Sequence, residues 1–118
     1  MTTRLLLLVF SVLLAWSADT KQAKSFTSMA SAHSVAGETA AGTKSRVGTV
    51  SADLSVLPLG SRIRISEAGK YSGTYTVEDT GRKISGREID IYMKTAAEAK
   101  AFGRKRVRVS ILQLAEKK

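Results

Sequence analysis

The sequence predicts an all-β domain of about six strands with a single short helix. Three observations carry that expectation. Arg62-Ile63-Arg64-Ile65-Ser66 and Arg106-Val107-Arg108-Val109-Ser110-Ile111-Leu112 alternate between polar and apolar residues, the period of a strand with one wet and one buried face. Thr74–Val77 and Ile89–Met93 are rich in β-branched and aromatic residues. Only one stretch, Ala96–Phe102, has the Ala-rich composition of a helix, and Gly103 stands where its C-cap belongs. A sheet of this size must close into a barrel or protect its edges in some other way.

The remaining elements follow in order. Phe26–Ala32 is a weaker strand candidate and Val47–Ala52 a better one, separated by a small, polar, Gly-containing loop over 34–45. Leu57-Pro58-Leu59-Gly60 reads as a turn, with Pro setting φ and Gly permitting the reversal, and Glu67-Ala68-Gly69-Lys70 as another. The chain of 118 residues has room for one domain of the usual size, about 100–150 residues.

The first 17 residues read differently. Arg4 precedes Leu5–Ala15, an apolar run interrupted only by Ser11. The run falls short of the ~20 residues that a membrane-spanning helix needs and has the flanks of a secretory signal peptide. Ala15-Trp16-Ser17 places small residues at the −3 and −1 positions, so cleavage is expected after Ser17. Residues 18–25 then form a polar tether, 26–114 the domain, and 115–118 a basic tail.

Composition narrows the function. Without cysteine there is no lipid-modified Cys, disulfide, Cys-ligated metal or Cys nucleophile, and a single His cannot build a His-rich metal site. No metal or other cofactor is expected. Nineteen Lys and Arg against ten Asp and Glu give a net charge of +9. In an exported protein such an excess favours wall carboxylates and phosphates or lipid head groups, rather than nucleic acid.

Catalytic candidates are few. Asp accounts for four positions, of which Asp19 falls in the tether. Asp90 lies between Ile89 and Ile91, so its side chain takes the face opposite those isoleucines. In a groove, partial desolvation would raise the pKa of such a carboxyl and suit it to general acid catalysis. Asp79 ends a strand and precedes Thr80-Gly81; taken alone it reads first as an Asx turn whose carboxylate serves only backbone N–H groups.

Residues Asp79–Asp90, Asp-Thr-Gly-Arg-Lys-Ile-Ser-Gly-Arg-Glu-Ile-Asp, resemble the DTGxxIxGxxID signature of the 3D domain, a family named for three aspartates. Gly48–Asp53 with Leu57–Ser61, the loop Thr39–Thr43, and the tail Glu98–Gly103 with Val107–Leu112 resemble the same family. The likeness runs from about Met29 to Leu112. It implies a six-stranded double-psi β-barrel related to membrane-bound lytic transglycosylase A and rare lipoprotein A. It also implies Asp90 as acid/base with Asp79 beside it, and cleavage of peptidoglycan between N-acetylmuramic acid and N-acetylglucosamine to give 1,6-anhydro products. Asp53, Thr39, Thr80, Gly81, Arg82, Lys83 and His33 would line the substrate site. The expected partner is the peptidoglycan glycan strand. The protein is expected to be a monomer in the periplasm or cell wall, with no stable membrane anchor once the leader is removed and no nucleic-acid partner. An expansin-like binding module and a glycoside hydrolase using the same aspartates are the alternatives.

Three departures from the family pattern stand out. Arg82-Lys83 replaces Gly-Ala, Asp53-Leu54 replaces Asp-Pro, and Ser31-Ala32-His33-Ser34 replaces a TAYS segment, so that His33 occupies an aromatic position.

Overall fold

The computed structural model describes residues 24–117, so the expected leader and most of the tether lie outside the described residues. The strands are β1 (Ser25–His33), β2 (Thr49–Ala52), β3 (Arg62–Ser66), β4 (Gly73–Asp79), β5 (Ile89–Tyr92) and β6 (Lys105–Gln113), with one helix, α1 (Ala96–Phe102). They close into a double-psi barrel in the order β1-β5-β2-β4-β3-β6, β6 returning to β1. The pairs β1/β5 and β2/β4 are parallel and the rest antiparallel. Closure answers the edge problem that a six-stranded sheet poses. Among the described residues, no helix is long and apolar enough to cross a membrane.

Alternation fills the interior. Ile63, Ile65, Val77, Val107 and Val109 are fully buried, with Ala30, Val50, Ala52, Ile89 and Ile91 beside them. Their neighbours in sequence, among them Arg62, Arg64, Arg106 and Arg108, are exposed on the outer face. Leu57 and Met93 add to this core, and Phe102 of α1 packs edge-on against Tyr71 at 5.6 Å. Helix α1 starts where the Thr95 side chain accepts from the Glu98 N–H, and stops at Gly103, whose φ of 67° suits glycine.

Two element boundaries differ from the sequence reading for identifiable reasons. Val47 is 65% exposed and outside β2, because Gly48 turns the chain at φ 97° before the ladder begins. Strand β4 runs two residues beyond Val77, through Glu78 and Asp79, because a bulge lets those acids stay in the sheet.

Candidate functional site

The bulge assembles the site. Val50 of β2 pairs with Val77 of β4, but the next residue, Ser51, pairs with Asp79 rather than Glu78. In regular alternation Asp79 would follow Val77 onto the inner face. The extra residue puts Glu78 and Asp79 together opposite Ser51, so Asp79 keeps the outer face. Ser51 also pairs with Asp90 on its other side, and Asp90 pairs with Ser31. A single row therefore crosses four strands: Ser31 on β1, Asp90 on β5, Ser51 on β2 and Asp79 on β4. Asp79 and Asp90 stand two strand spacings apart, about 10 Å between Cα atoms.

Asp90 is held on both oxygens. Oδ1 accepts from the Ser31 hydroxyl at 3.2 Å, and Oδ2 lies 2.9 Å from Nδ1 of His33. Both side chains of this pair keep some contact with solvent, 20% exposure for Asp90 and 29% for His33. The imidazole sits edge-on to Tyr92 at 5.6 Å, and its Nδ1, otherwise buried, bonds to no other group. The hydrogen bond that His33 donates to Asp90, then the charges of Asp90 and Asp79, raise the His33 pKa above its ordinary value; burial opposes them without prevailing. The contact therefore favours the protonated imidazole more than in a free histidine.

Asp79 ties two loops together. Its Oδ1 accepts from the backbone N–H groups of Ala40 at 3.0 Å and Thr80 at 2.9 Å. Both bonds go to one oxygen; among the described residues Oδ2 accepts none and is the more available to a ligand. Beside the Ala40 loop opens a cavity of about 500 Å³ walled in part by Ala41, Leu54, Pro58, Leu59 and Gly60.

The other expected site residues take different places. Asp53, directly after β2, turns both oxygens inward on the fold. Oδ1 accepts from the Ser55 N–H and hydroxyl, and Oδ2 from the Gly86 N–H at 2.7 Å. Those bonds, the Ser55 hydroxyl foremost, hold its carboxyl below the usual range. Thr39 is buried and closes the 39–43 turn through its hydroxyl, 2.7 Å from that of Thr43. Thr80, Arg82 and Lys83 are exposed on the loop between β4 and β5. Gly81 starts its turn, and a Cβ there would come within 3.1 Å of the Ile84 side chain.

Sequence reasoning missed four residues. Ser31 and Ser51 belong to the row through strand register alone. Ser28 donates its hydroxyl to the Arg87 carbonyl and so fixes the β4–β5 loop from the far side. Glu78 is 6% exposed and accepts from Arg46 at 3.0 Å and Thr43 at 3.2 Å, anchoring the 37–46 loop. The adjacent acids Glu78-Asp79 at a strand end were the available signal, since ordinary alternation would send one of them into the core. Among the described residues no three His, Asp or Glu side chains gather as a metal site.

A closed double-psi barrel with an aspartate row on its outer flank is the class of protein that this fold and site define. The chain belongs to the 3D domain family, whose model matches residues 48–113. It is 44% identical over 61 residues to the SPbeta prophage-derived uncharacterized protein YorM of Bacillus subtilis, covering 52% of this chain and 25% of that protein. It is 33% identical over 63 residues to the cell wall-binding protein YocH of the same organism, covering 53% and 21%. The chain thus spans about a quarter of the curated relatives it matches. Among solved structures, MltA of E. coli superposes with a TM-score of 0.55 at 21% identity over 66% of this chain and 28% of MltA. A second MltA structure, described as a unique lytic transglycosylase fold, gives 0.54 at 22% identity over 70% and 29%. At that identity the likeness is one of fold.

Proposed function

We propose that this protein is an exported lytic transglycosylase that cleaves peptidoglycan glycan strands, with Asp90 as acid/base. The observation that carries the reading is the His33–Asp90 contact of 2.9 Å in a row that also holds Asp79. Family membership, the barrel shared with a lytic transglycosylase and the resemblance to a cell wall-binding protein support the same conclusion.

The pair holds one exchangeable proton, which closes a catalytic cycle. The proton passes from Nδ1 of His33 to Asp90, and Asp90 delivers it to the oxygen of the bond between N-acetylmuramic acid and N-acetylglucosamine as that bond breaks. The C6 hydroxyl of the same sugar attacks the anomeric carbon, and its proton returns to the now unprotonated pair. The product is a 1,6-anhydro sugar, and no water is consumed. Asp79, whose Oδ2 accepts no bond among the described residues, stabilises positive charge developing at the anomeric carbon. Asp53 and Thr39 hold the flanking loops, while Arg82 and Lys83 meet carboxylates of the lactyl and peptide groups. The cavity beside Ala40 accepts an apolar part of the same substituents.

The test is digestion of purified peptidoglycan by wild type and Asp90→Asn, with soluble products identified by mass spectrometry. Anhydro-muropeptides are expected from wild type, and a loss of about 10²–10⁴-fold from the variant. Products one water heavier would instead define a hydrolase. If nothing is released while both proteins sediment with the wall, the domain is a binding module.

A further inference from the structure

The acidic row crosses β1, β5, β2 and β4, four of the six strands of the closed barrel. The strands that complete it are basic: β3 and β6, like β1 and β2, carry no Asp or Glu, but they alone add arginines. The outer positions of β3 and β6 include Arg62, Arg64, Arg106 and Arg108, all exposed. Strand register joins them into one line. Arg108 pairs with Ser66, two positions beyond Arg64, and Arg106 lies two further along β6. Four arginines thus step diagonally from one strand to the next, about 7 Å at a time and about 20 Å in all.

Nothing in the described fold neutralises this line. Its neighbours across the strands are uncharged: Thr76 and Gln113 opposite Arg62, Thr74 and Ser110 opposite Arg64, Thr27 and Ser66 opposite Arg108, and Met29 opposite Arg106. Among the described residues none of the four enters an ion pair; Arg108 only donates to the Ser25 hydroxyl at 3.0 Å. A surface shaped for solubility intersperses both signs, whereas a single-sign line concentrates potential along one direction.

We propose that this arginine line is a docking site for a linear phosphodiester polyanion, separate from the aspartate groove. Each guanidinium offers a planar fork suited to phosphate, and all four positions use Arg rather than Lys. A single file of charges matches an elongated chain with regularly spaced anions, of the kind in which phosphodiesters alternate with short polyol units. A membrane would demand an apolar wedge within the charged patch, and the nearest exposed large apolar residue on these strands, Leu112, stands beyond the end of the line. The line lies on β3 and β6, the two strands that the aspartate row does not cross. The domain then holds one wall polymer while its groove faces another.

The experiment titrates the full chain with poly(glycerol phosphate) at rising salt, with no glycan present, so its outcome is independent of the cleavage assay. Four contacts predict a slope of log K against log salt near about −3, using about 0.7 per charge. Arg64→Gln with Arg106→Gln should weaken binding about tenfold or more and reduce that slope by about 1.4. Lys94→Gln with Lys100→Gln removes the same net charge near α1 and should leave both quantities nearly unchanged. Equal losses in the two double variants would reduce the effect to net charge and overturn the proposal. So would tighter binding to phosphatidylglycerol vesicles than to the polymer, or no binding at all. Melting curves of both variants establish that they fold.

Discussion

His33→Phe isolates the contact on which the proposed chemistry turns. The substitution keeps an aromatic ring against Tyr92 but removes Nδ1, which lies 2.9 Å from Asp90. A hydrogen bond to a charged group contributes about 1.5–3 kcal/mol when buried; both partners retain some solvent contact, so about 1 kcal/mol is the reasonable figure here. That corresponds to a fall in Tm of about 4–8 °C for a domain of this size. Because the His33 pKa is raised by Asp90, this stabilisation is fully present below the unfolded value of 6.5 and disappears as pH rises through the higher folded value. Thermal unfolding of wild type and variant at pH 6 and pH 9 should therefore show a larger difference at pH 6 than at pH 9. A difference that is equal at both pH values, or larger at pH 9, would refute an ion pair at this site. The same proton governs the proposed reaction, so wild-type cleavage should decline on the alkaline side across the same range.

Two other substitutions test how the loops around the groove are held. Glu78→Ala leaves Arg46 and Thr43 without their acceptor, and should cost about 1–3 kcal/mol and speed amide exchange at Thr43 in the 37–46 loop. Exchange confined to global unfolding would show that Glu78 does not anchor the loop. Asp53→Asn replaces an ionised acceptor by a weaker one and should accelerate exchange of the Gly86 amide and protease nicking between residues 82 and 87. Since the Asp53 pKa is lowered, its contribution in wild type is present above the unfolded value of 3.8 and lost as pH falls through the lower folded value. Acid titration followed at Gly86 reads this directly, and an unchanged Gly86 amide in the variant would count against the staple.

The parts of the fold legible in the sequence are those decided by local rules. β3 and β6 alternate without interruption, and Ala-rich α1 ends at Gly103, so local pattern locates each to within a residue or two. The hydrophobic row Ile89 and Ile91 also fixed the outward direction of Asp90 before any contact was known. What local rules could not provide was register. The alignment of Ser31, Asp90, Ser51 and Asp79 depends on which residues face one another across parallel and antiparallel ladders, and on one extra residue in β4. The site's hydroxyls were invisible for that reason: a serine in a strand has no signature until its neighbour is known. Thr39 illustrates the converse, since a residue carried into the site by motif resemblance spends its hydroxyl on its own turn.

The three aspartates divide the work because of where β2 lies. β4 and β5 run antiparallel to one another with β2 between them, so the chain leaving Asp79 must cross two strand spacings, about 10 Å, before re-entering the sheet at Ile89. A loop spanning that gap with exposed, charged residues would be mobile by default. Asp53 emerges from the end of the intervening strand and captures the Gly86 N–H, where φ of 62° is available to glycine at little cost. Ser28 captures the Arg87 carbonyl from β1. The loop is thus fixed immediately before Asp90, and Asp79 fixes the facing loop through Ala40. The chain between the second and third aspartates passes over β2 with length to spare, and the bonds to Gly86 and Arg87 take up that slack. The first aspartate need not touch a ligand at all to be indispensable to the geometry of the other two.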